Sequence, residues 1–330
     1  MNRDFLNIVA ELENARKILV VGHIMPDGDD ISSVLSAYLG LKSLGKEVIA
    51  GIDWRIPWYF YEFNEVNSVM NYDSFAALNF YPDVILVVDA SSSDRVGRFQ
   101  ELFDNRTVLV IDHHNTNTYF GVHNWVDTKF GSTAQMVLRV NTELGVNYNE
   151  RLATINLMGI ATDTGFFRYS NADEIVFSDA TKLVSLGGKM HLVSSLFENK
   201  RIEQFKLLST MIEHMKMELN GQIVYSYLSK EDYEMNNCTE DDSGGFVGEL
   251  RSIRGTELAI FFSEYEHGEI HISFRSRDWF NCSNLAVLFG GGGHTKAAGC
   301  TLKGDLGAIV EEVVREAKNM FIAQKQKSNI

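Results

Sequence analysis

The stretch Ile18–Ser33 (ILVVGHIMPDGDDISS) constrains the fold of this chain more than any other segment. Residues 18–21 are apolar and mostly β-branched, and a glycine follows them, which is typical of a buried strand. We expect a helix to begin near Asp29. His23, Asp27 and Asp29 then lie at the carboxyl end of a strand, where open α/β sheets bind ligands. Because neighbouring carboxylates repel each other, a divalent cation is the simplest partner for this set.

The same arrangement recurs further along the chain. Val48–Ile52, Asp83–Val88 and Val108–Ile111 are also short apolar runs, and helix-like segments separate them. This alternation predicts an α/β fold with a mainly parallel sheet flanked by helices. Asp89 follows the second of these runs, and residues 112–114 (Asp-His-His) follow the third. Three of the four strand-like runs therefore end in acidic or imidazole side chains.

The length of 330 residues favours two domains. After Gly221 the pattern changes to alternating or β-branched runs such as Ile223–Leu228. We therefore expect a catalytic domain over residues 1–200, a connecting helix over residues 201–218 and a smaller α/β domain over residues 219–330. An active-site cleft is expected between the two domains.

Charge and composition exclude several classes of protein. Asp and Glu outnumber Lys and Arg by 44 to 30, whereas affinity for long duplex nucleic acid comes from Lys and Arg. The three cysteines, Cys238, Cys282 and Cys300, show no paired spacing, which argues against a disulfide framework and a structural zinc site. No segment has the apolar core of a signal peptide or of a membrane span. We expect a cytoplasmic protein without a membrane partner.

Six side chains at these strand ends and after a later helix are candidate metal ligands: His23, Asp27, Asp29, Asp89, His113 and Asp163. Mixed carboxylate and imidazole ligands suit Mn²⁺, with Zn²⁺, Co²⁺ and Fe²⁺ able to compete. Six ligands suffice for two ions if one carboxylate bridges them, and two ions about 3.5–4 Å apart can activate a water and clamp phosphoryl oxygens. A single Asp after a strand is more often a helix cap than a ligand, and Ser132 and Thr133 are likewise expected to cap a helix rather than to contact phosphate.

The triplet Asp112-His113-His114 allows two roles side by side. Adjacent residues at a strand end point in opposite directions, so one histidine can bind metal while the other faces the substrate. Asp112 can then orient an imidazole through a hydrogen bond. The alternative, a capping Asp beside two exposed histidines, does not fit so apolar a strand.

The candidates for substrate binding each have a structural alternative. Glycines before His294 let backbone N–H groups approach an anion, but a flexible hinge explains them equally well. Arg275 can bind a phosphate or line a solvated strand edge. Phe167 can stack on a base beside Arg168, although core packing also suits it. The candidates are Arg275, His294, Gly291, Gly292, Gly293, Phe167 and Arg168.

Together these residues resemble the DHH phosphoesterase superfamily and the domain that accompanies it. Ser32 stands where that family commonly has a glycine, which replaces one small residue by another. The motifs that carry the resemblance are His23-Ile-Met-Pro-Asp27-Gly-Asp29, Asp89 with Asp94-Arg95, Asp112-His113-His114, Ala161-Thr-Asp163-Thr-Gly, Phe274-Arg275-Ser276 and the segment 290–299 (GGGGHTKAAG).

The resemblance implies two Mn²⁺ ions, with Co²⁺ or Mg²⁺ as substitutes, that share the Asp89 carboxylate. The ligands that it assigns are His23, Asp27 and Asp89 for one ion, and Asp29, Asp89, His113 and Asp163 for the other. It implies that His114 contacts the scissile phosphate and that Arg275 and His294 bind the substrate. It also suggests a homodimer.

The branch that these motifs resemble most degrades very short RNA, in some members linear or cyclic dinucleotides such as pApA, and dephosphorylates 3′-phosphoadenosine 5′-phosphate. We therefore expect a phosphoesterase in which Asp89, Asp112 and His114 take part in catalysis. A manganese-dependent inorganic pyrophosphatase or exopolyphosphatase on the same scaffold is the nearest alternative. A nucleotide-sensing module without catalysis is an alternative of a different class.

Overall fold

The computed structural model describes residues 2–104, 106–265 and 268–327. The chain divides into two compact units, an N-terminal unit over Met1–Asn199 and a C-terminal unit over Lys200–Ile330. The last three residues of the predicted C-terminal domain, 328–330, lie outside the described residues.

Within its described residues the N-terminal unit contains a six-stranded parallel sheet. Its strands are β1 (Lys17–Val21), β2 (Glu47–Gly51), β3 (Val69–Met70), β4 (Val84–Val88), β5 (Thr107–Asp112) and β6 (His123–Val126). The order in the sheet is β3-β2-β1-β4-β5-β6. The chain first moves outward from β1 in one direction and then returns to continue from β4 in the other, so β1 and β4 flank the topological switch point where such sheets bind ligands. The predicted parallel sheet flanked by helices is confirmed.

Helices cover both faces of this sheet, and this is why its central strands are continuous apolar runs. The helices of the unit are α1 (Arg3–Asn14), α2 (Gly28–Ser43), α3 (Tyr72–Ala76), α4 (Thr133–Glu143), α5 (Glu150–Asp163), α6 (Glu174–Ser185) and α7 (Met190–Glu198), with 3₁₀ segments at Trp58–Glu62, Asn64–Ser68 and Ser93–Leu102. On one face, Ile18 and Val20 pack in a core with residues of α1, α2, α4 and α5. On the other face, Leu19 packs with Phe75 of α3 and with Phe99.

The C-terminal unit has a second sheet with mixed strand directions. Over the described residues its strands are β7 (Lys216–Glu218), β8 (Ile223–Leu228), β9 (Leu258–Glu264), β10 (Glu269–Ser276), β11 (Gly292–Gly293) and β12 (Ala297–Lys303). Its helices are α8 (Ile202–Glu213), α9 (Lys230–Met235), α10 (Phe246–Ser252), α11 (Cys282–Leu288) and α12 (Leu306–Lys327), with 3₁₀ segments at Leu219–Gly221 and Glu240–Ser243. The strand order is β11-β12-β10-β9-β8-β7, antiparallel except between β8 and β9. Helices α11 and α12 pack on one face, and α8, α9 and α10 pack on the other.

The segment predicted as a connecting helix over residues 201–218 differs from the prediction at its end. Helix α8 stops at Glu213, and Lys216–Glu218 forms the edge strand β7. Met217 had suggested a longer helix because it continues the apolar spacing, but its side chain is exposed. Among the residues that the structure describes, no helix combines the length and the apolar character that a bilayer crossing requires.

Candidate metal centre

The first part of the site lies where β1 gives way to α2. Asp27 is the N-cap of α2, and its Oδ1 accepts the backbone N–H groups of Asp29 and Asp30 at 3.0 and 3.1 Å. This cap fixes the first turn of the helix and leaves Asp29 and Asp30 buried. The Asp30 carboxylate in turn accepts the backbone N–H of His23 at 2.8 Å. The carboxylates of Asp29 and Asp30 therefore lie inside the protein, at the carboxyl end of the central strand β1.

Asp89 follows β4 on the other side of the switch point. Its backbone is in the left-handed region (φ 58°), a conformation that Asp adopts more readily than most residues with a side chain. Its N–H still donates to the carbonyl of Ile111 at 3.0 Å. The chain thus leaves the sheet directly after β4, and the Asp89 side chain is buried at the strand ends.

The N-terminus of α4 faces these carboxylates. The backbone N–H groups of Thr133 and Ala134 donate to the two oxygens of Asp29 at 2.6 and 2.9 Å. The Thr133 hydroxyl donates to Asp89 Oδ1 at 2.7 Å. A helix N-terminus favours a negative charge, so α4 orients and partly compensates both acids. Ser132 is the N-cap of α4, as predicted, whereas the contact of Thr133 with Asp89 was not predicted.

His23 presents one ring nitrogen to Asp89. Its Nδ1 lies 2.7 Å from the carbonyl oxygen of Ile24, so the Nδ1–H donates there and Nε2 carries the lone pair. Nε2 is 3.8 Å from Asp89 Oδ2. Arg95 donates to the same carbonyl of Ile24 at 3.3 Å. Burial, the largest cause, lowers the pKa of His23 to about 4, against the opposing charge of Asp27, so the ring is neutral at pH 7.

His113 repeats this arrangement from β5. Its Nδ1 is 3.2 Å from the carbonyl oxygen of Phe130. Its Nε2 lies 3.4 Å from Asp163 Oδ2 and 3.7 Å from the nearest oxygens of Asp29 and Asp89. Burial lowers the pKa of His113 to about 4 as well. Both imidazoles are therefore neutral, which is the form that binds metals.

Within the described residues, Asp89 belongs to three sets of side chains whose ligand-capable atoms lie within 4.8 Å of one another. These sets are His23, Asp30 and Asp89; Asp29, Asp89 and His113; and Asp89, Asp112 and His114. Burial, followed by the charges of neighbouring carboxylates, raises the pKa of Asp29, Asp30 and Asp89 well above the usual range. Crowded, buried acids beside neutral imidazoles are the donor set that a divalent cation requires.

Five of the six predicted ligands lie within 4 Å of at least one other member of the set: His23, Asp29, Asp89, His113 and Asp163. The sixth, Asp27, caps helix α2. Asp27 is exposed and uses one oxygen for the cap. Asp30 lies in the set with His23 and was not predicted as a ligand. The signal for it in the sequence is an acidic doublet, residues 29–30, which by itself indicates only the start of a helix.

His114 is oriented by Asp112. The Nδ1 of His114 is 2.6 Å from Asp112 Oδ1, and Asn117 donates to the other oxygen at 2.7 Å. Burial acts to lower the pKa of His114, but the charge of Asp112 and its hydrogen bond outweigh that effect and raise it. Asp112 is fully buried, while His114 keeps a partly exposed ring. The pair therefore presents a positively polarised imidazole.

Phe167 and Arg168 follow α5, and their described contacts are local. Phe167 stacks on Phe177 with ring centroids 5.5 Å apart and packs against the core. Arg168 is exposed, and its Nε donates to the carbonyl of Gly165 at 2.8 Å. Phe166 and Phe167 both have positive φ angles, so this turn is strained immediately after Asp163.

The remaining candidates lie in the C-terminal unit. Arg275 is on β10, and its guanidinium donates to the carbonyl of Phe274 at 3.0 Å. The glycine turn, residues 290–294, folds back onto β12, where Gly292 pairs with Gly299. A Cβ on Gly291 would overlap the carbonyl oxygen of Gly299. Close packing therefore requires a glycine at position 291.

A second close approach between this turn and β12 lies at Gly293, directly before His294. Gly293 has a φ of 127°, and a Cβ there would lie 2.7 Å from the carbonyl oxygen of Ala297. The N–H of His294 donates to the same carbonyl of Ala297 at 2.7 Å. The turn that carries His294 is thus fixed against β12.

Comparison with known families matches both parts of the chain. The model of the DHH family N-terminal domain matches residues 17–160, and the DHHA1 domain model matches residues 220–325. The bifunctional oligoribonuclease and PAP phosphatase NrnA of Thermus thermophilus is 34% identical over 95% of this chain and 93% of its own length. The protein of the same name from Mycoplasma genitalium is 27% identical over 91% of this chain and 93% of its own length.

Solved structures share the fold. An exopolyphosphatase-related protein from Bacteroides fragilis superposes with a TM-score of 0.86 at 25% identity and covers 99% of this chain and 98% of its own. RecJ from Thermus thermophilus, solved in complex with Mn²⁺, superposes with a TM-score of 0.52 at 15% identity, over 96% of this chain and 55% of its own. At that identity the second likeness concerns the fold alone.

Proposed function

The chain belongs to the DHH family, and from that premise we propose that it is a metal-dependent phosphoesterase that acts on short oligonucleotides and on 3′-phosphoadenosine 5′-phosphate. The observation that carries the proposal is the position of Asp89. Its two carboxylate oxygens lie 3.8 and 3.7 Å from the Nε2 atoms of His23 and His113, and other buried acids offer oxygens within 4.8 Å. Oligoribonuclease and PAP phosphatase are the activities in the names of the relatives from Thermus thermophilus and Mycoplasma genitalium.

We assign two Mn²⁺ ions to this cluster, with Co²⁺ or Mg²⁺ as substitutes. The residues fit such a pair, because Asp89 offers one oxygen toward His23 and the other toward His113. Asp27 is assigned to the His23 side, and Asp29 and Asp163 to the His113 side. When bound, divalent cations supply Lewis acidity to phosphoryl oxygens and lower the pKa of a coordinated water.

The protein's own groups prepare the site for that chemistry. The N-terminus of α4 holds Asp29 and Asp89 in place through Thr133. Asp112 accepts the Nδ1–H of His114, which leaves Nε2 as the nitrogen that donates to a phosphoryl oxygen once the ring is protonated. The raised pKa of His114 favours its charged form, which binds an anion more strongly.

Substrate recognition is assigned to the C-terminal domain, proposed over residues 219–330, and to the turn after α5. Arg275 and His294 would bind phosphate or base, and the backbone of the glycine turn would approach an anion. Phe167 and Arg168 would contact the nucleotide from the N-terminal domain. Hydrolysis would release nucleoside 5′-monophosphates from an oligonucleotide, or AMP and phosphate from 3′-phosphoadenosine 5′-phosphate.

One alternative has support from a neighbour. The Bacteroides fragilis structure with the TM-score of 0.86 is described as exopolyphosphatase-related, so polyphosphate or pyrophosphate hydrolysis is the competing activity. A nucleotide-sensing module is disfavoured, because a binding module has no need of so many converging ligands.

A single substrate panel tests these functions. The purified chain with Mn²⁺ is incubated with pApA, 3′-phosphoadenosine 5′-phosphate, pyrophosphate, polyphosphate and a longer oligonucleotide, and the products are separated by ion exchange. We expect AMP from the first two substrates and little product from the others. Release of phosphate from pyrophosphate or polyphosphate alone would establish the competing activity. Tight nucleotide binding without any turnover would establish a sensor.

A further inference from the structure

We propose that Glu257 is a positioning residue, whose buried carboxylate fixes the loop over residues 277–281 and thereby the segments that carry Arg275 and His294. The inference rests on the proposed function, because that function assigns Arg275 and His294 to the substrate. Glu257 itself would touch no substrate.

Glu257 is bound by consecutive backbone amides. It precedes β9 directly and is only 7% exposed. Its Oε1 accepts the N–H groups of Asp278, Trp279 and Phe280 at 3.1, 2.8 and 2.8 Å, and its Oε2 accepts the N–H of Asp278 at 3.1 Å. Its backbone carbonyl accepts the N–H of Arg277 at 2.9 Å. One residue therefore fixes four consecutive amides of an irregular loop.

Such a set of contacts is strong and directional. Hydrogen bonds to an ionised acceptor are roughly twice as strong as neutral ones, and a concave run of N–H groups is a binding site for an anion. The described hydrogen-bond partners of this carboxylate are all backbone amides rather than a cationic side chain. Within the part of the chain that the structure describes, its charge therefore orders the loop rather than pairing with a cation.

The loop begins two residues after Arg275, directly after β10 ends at Ser276. In the register of β9 and β10, Arg275 pairs with Ala259, and Ser276 pairs with Leu258, the residue after Glu257. The carboxylate of Glu257 therefore acts on the chain three to five residues beyond Arg275. A change in the path of the loop changes the end of β10 and with it the direction of the Arg275 side chain.

The far side of the loop is joined to the segment that follows His294. The N–H of Ser276 donates to the carbonyl of Lys296 at 3.0 Å, and the N–H of Cys282 donates to the carbonyl of Thr295 at 2.8 Å. These bonds connect both ends of the loop to residues directly after His294. Glu257 therefore sets the spacing between two assigned substrate contacts.

The loop also has an apolar anchor that does not depend on Glu257. Phe280 is fully buried and stacks on Phe321 with ring centroids 5.7 Å apart. The hydroxyl of Ser276 donates to the carbonyl of Phe280 at 2.7 Å. Removing the carboxylate is therefore expected to loosen the backbone of the loop without detaching it.

Steady-state kinetics of the full chain with Mn²⁺ and pApA tests the inference. Glu257→Ala is expected to raise KM at least about tenfold while kcat changes by less than about threefold, because displacements of about 1 Å in positioning groups cost up to about a hundredfold. Glu257→Gln keeps one oxygen that can accept the three N–H groups, so it should restore most of the KM. The thermal shift on adding Mn²⁺ should be unchanged in both variants.

Asp242 provides a matched control in the same unit. It is also buried, and it accepts the N–H of Thr239 and the guanidinium of Arg201 at 2.8 Å each. Asp242→Ala should lower the melting temperature and leave KM unchanged. An equal rise of KM in Asp242→Ala would show general loosening of the unit and overturn the inference.

Further outcomes separate this inference from the proposed function. If Arg275→Ala raises KM but a folded Glu257→Ala stays within twofold of wild type, the positioning role is wrong and the proposed function stands. If Glu257→Ala does not fold, Glu257→Gln decides: faster hydrogen exchange at amides 278–280 with an unchanged KM overturns the inference. A wild-type chain that turns over no substrate of the panel removes the premise and the inference together.

Discussion

Replacing Asp89 with Asn is expected to change stability in opposite directions with and without metal. Asn retains an oxygen that can accept the Thr133 hydroxyl, which now donates to Asp89 Oδ1 at 2.7 Å. Asn also tolerates the left-handed backbone at this position (φ 58°). The substitution therefore removes one charge and changes little else.

The magnitude follows from the spacing of the acids. Ligand oxygens of Asp29 and Asp89 lie within 4.8 Å of each other, and two full charges at that distance repel by about 3.5 kcal/mol at an effective dielectric constant of ~20. The pKa values of both groups are raised, so protonation already relieves part of this repulsion in the wild type. We therefore expect Asp89→Asn to raise the free energy of unfolding of the metal-free protein by less than the full repulsion, about 1–3 kcal/mol. For a unit of this size that is a rise in Tm of roughly 3–9 °C.

Added metal should reverse the order. At a Mn²⁺ concentration of about 100 times Kd, the wild type gains about 2.7 kcal/mol, whereas Asp89→Asn lacks the shared ligand and should gain little. Thermal unfolding with EDTA and with Mn²⁺, followed by the fluorescence of the buried Trp125, measures both effects. Asp179→Asn is the matched control, because Asp179 is as buried as Asp89 (3% exposed) but forms an ion pair with Arg139 at 2.7 Å. It should lower Tm without metal and keep the Mn²⁺ shift.

Two results would refute this reasoning. One is a metal-free Asp89→Asn protein that is destabilised as much as Asp179→Asn, since the acids would then not repel each other. The other is an Asp89→Asn protein with the full wild-type response to Mn²⁺, since Asp89 would then not be a shared ligand.

Four further predictions concern metal and substrate binding. Thr133→Val should lower the Mn²⁺ affinity about tenfold, because it removes the hydroxyl that orients the Asp89 carboxylate, whereas Thr133→Ser keeps a hydroxyl and should keep the affinity. Equal affinities of the two variants in a calorimetric titration would contradict this role of the hydroxyl. Asp27→Asn should weaken Mn²⁺ binding more than Asp30→Asn, because Asp27 is the assigned ligand, whereas the Asp30 carboxylate supports the backbone N–H of His23. The reverse order would move the ligand assignment to Asp30. Arg275→Ala should raise the KM for pApA at least about tenfold, since it removes a charge-assisted hydrogen bond to the substrate of about 1.5–3 kcal/mol. The rise in Tm on adding Mn²⁺ should stay, and its loss would show that Arg275 supports metal binding instead. Mn²⁺ affinity should rise with pH, because Asp29 and Asp89, whose pKa values are raised, hold protons at lower pH that the metal must displace. Calorimetry in two buffers of different ionisation enthalpy should detect the released protons, and an affinity independent of pH between 5 and 8 would argue against the raised pKa values.

The central strands could be predicted because of where they lie. β1, β4 and β5 are covered on both faces, so burial alone makes them continuous apolar runs that stand out in the sequence. The edge strands β3 and β6 were missed for the opposite reason. β3 has only two residues, and in β6 only Trp125 is buried.

The acids and histidines of the site could be predicted because each follows such a run directly. Parallel strands bring their carboxyl ends to one edge, so convergence follows from topology. The role of Thr133 could not be predicted, because its partner Asp29 lies 104 residues away in the sequence and the contact uses the backbone N–H of a helix. Any residue except proline would supply the same N–H at that position.

The C-terminal unit was less predictable because its ligand candidates also have structural roles. Gly291 is required by its approach to β12 whether or not the turn binds an anion. Arg277, two residues after Arg275, donates to the carbonyls of Arg251, Ile253 and Thr256 and so supports the end of α10. Sequence spacing does not distinguish an arginine that binds backbone carbonyls from one that binds a ligand.

Anomalous diffraction at the manganese edge, from crystals grown with Mn²⁺, tests the central claim most directly. We predict two peaks that share the Asp89 carboxylate, one on the side of His23 and the other on the side of His113. Peaks elsewhere in the molecule, with none within bonding distance of Asp89, would contradict the assignment of this cluster as the catalytic centre.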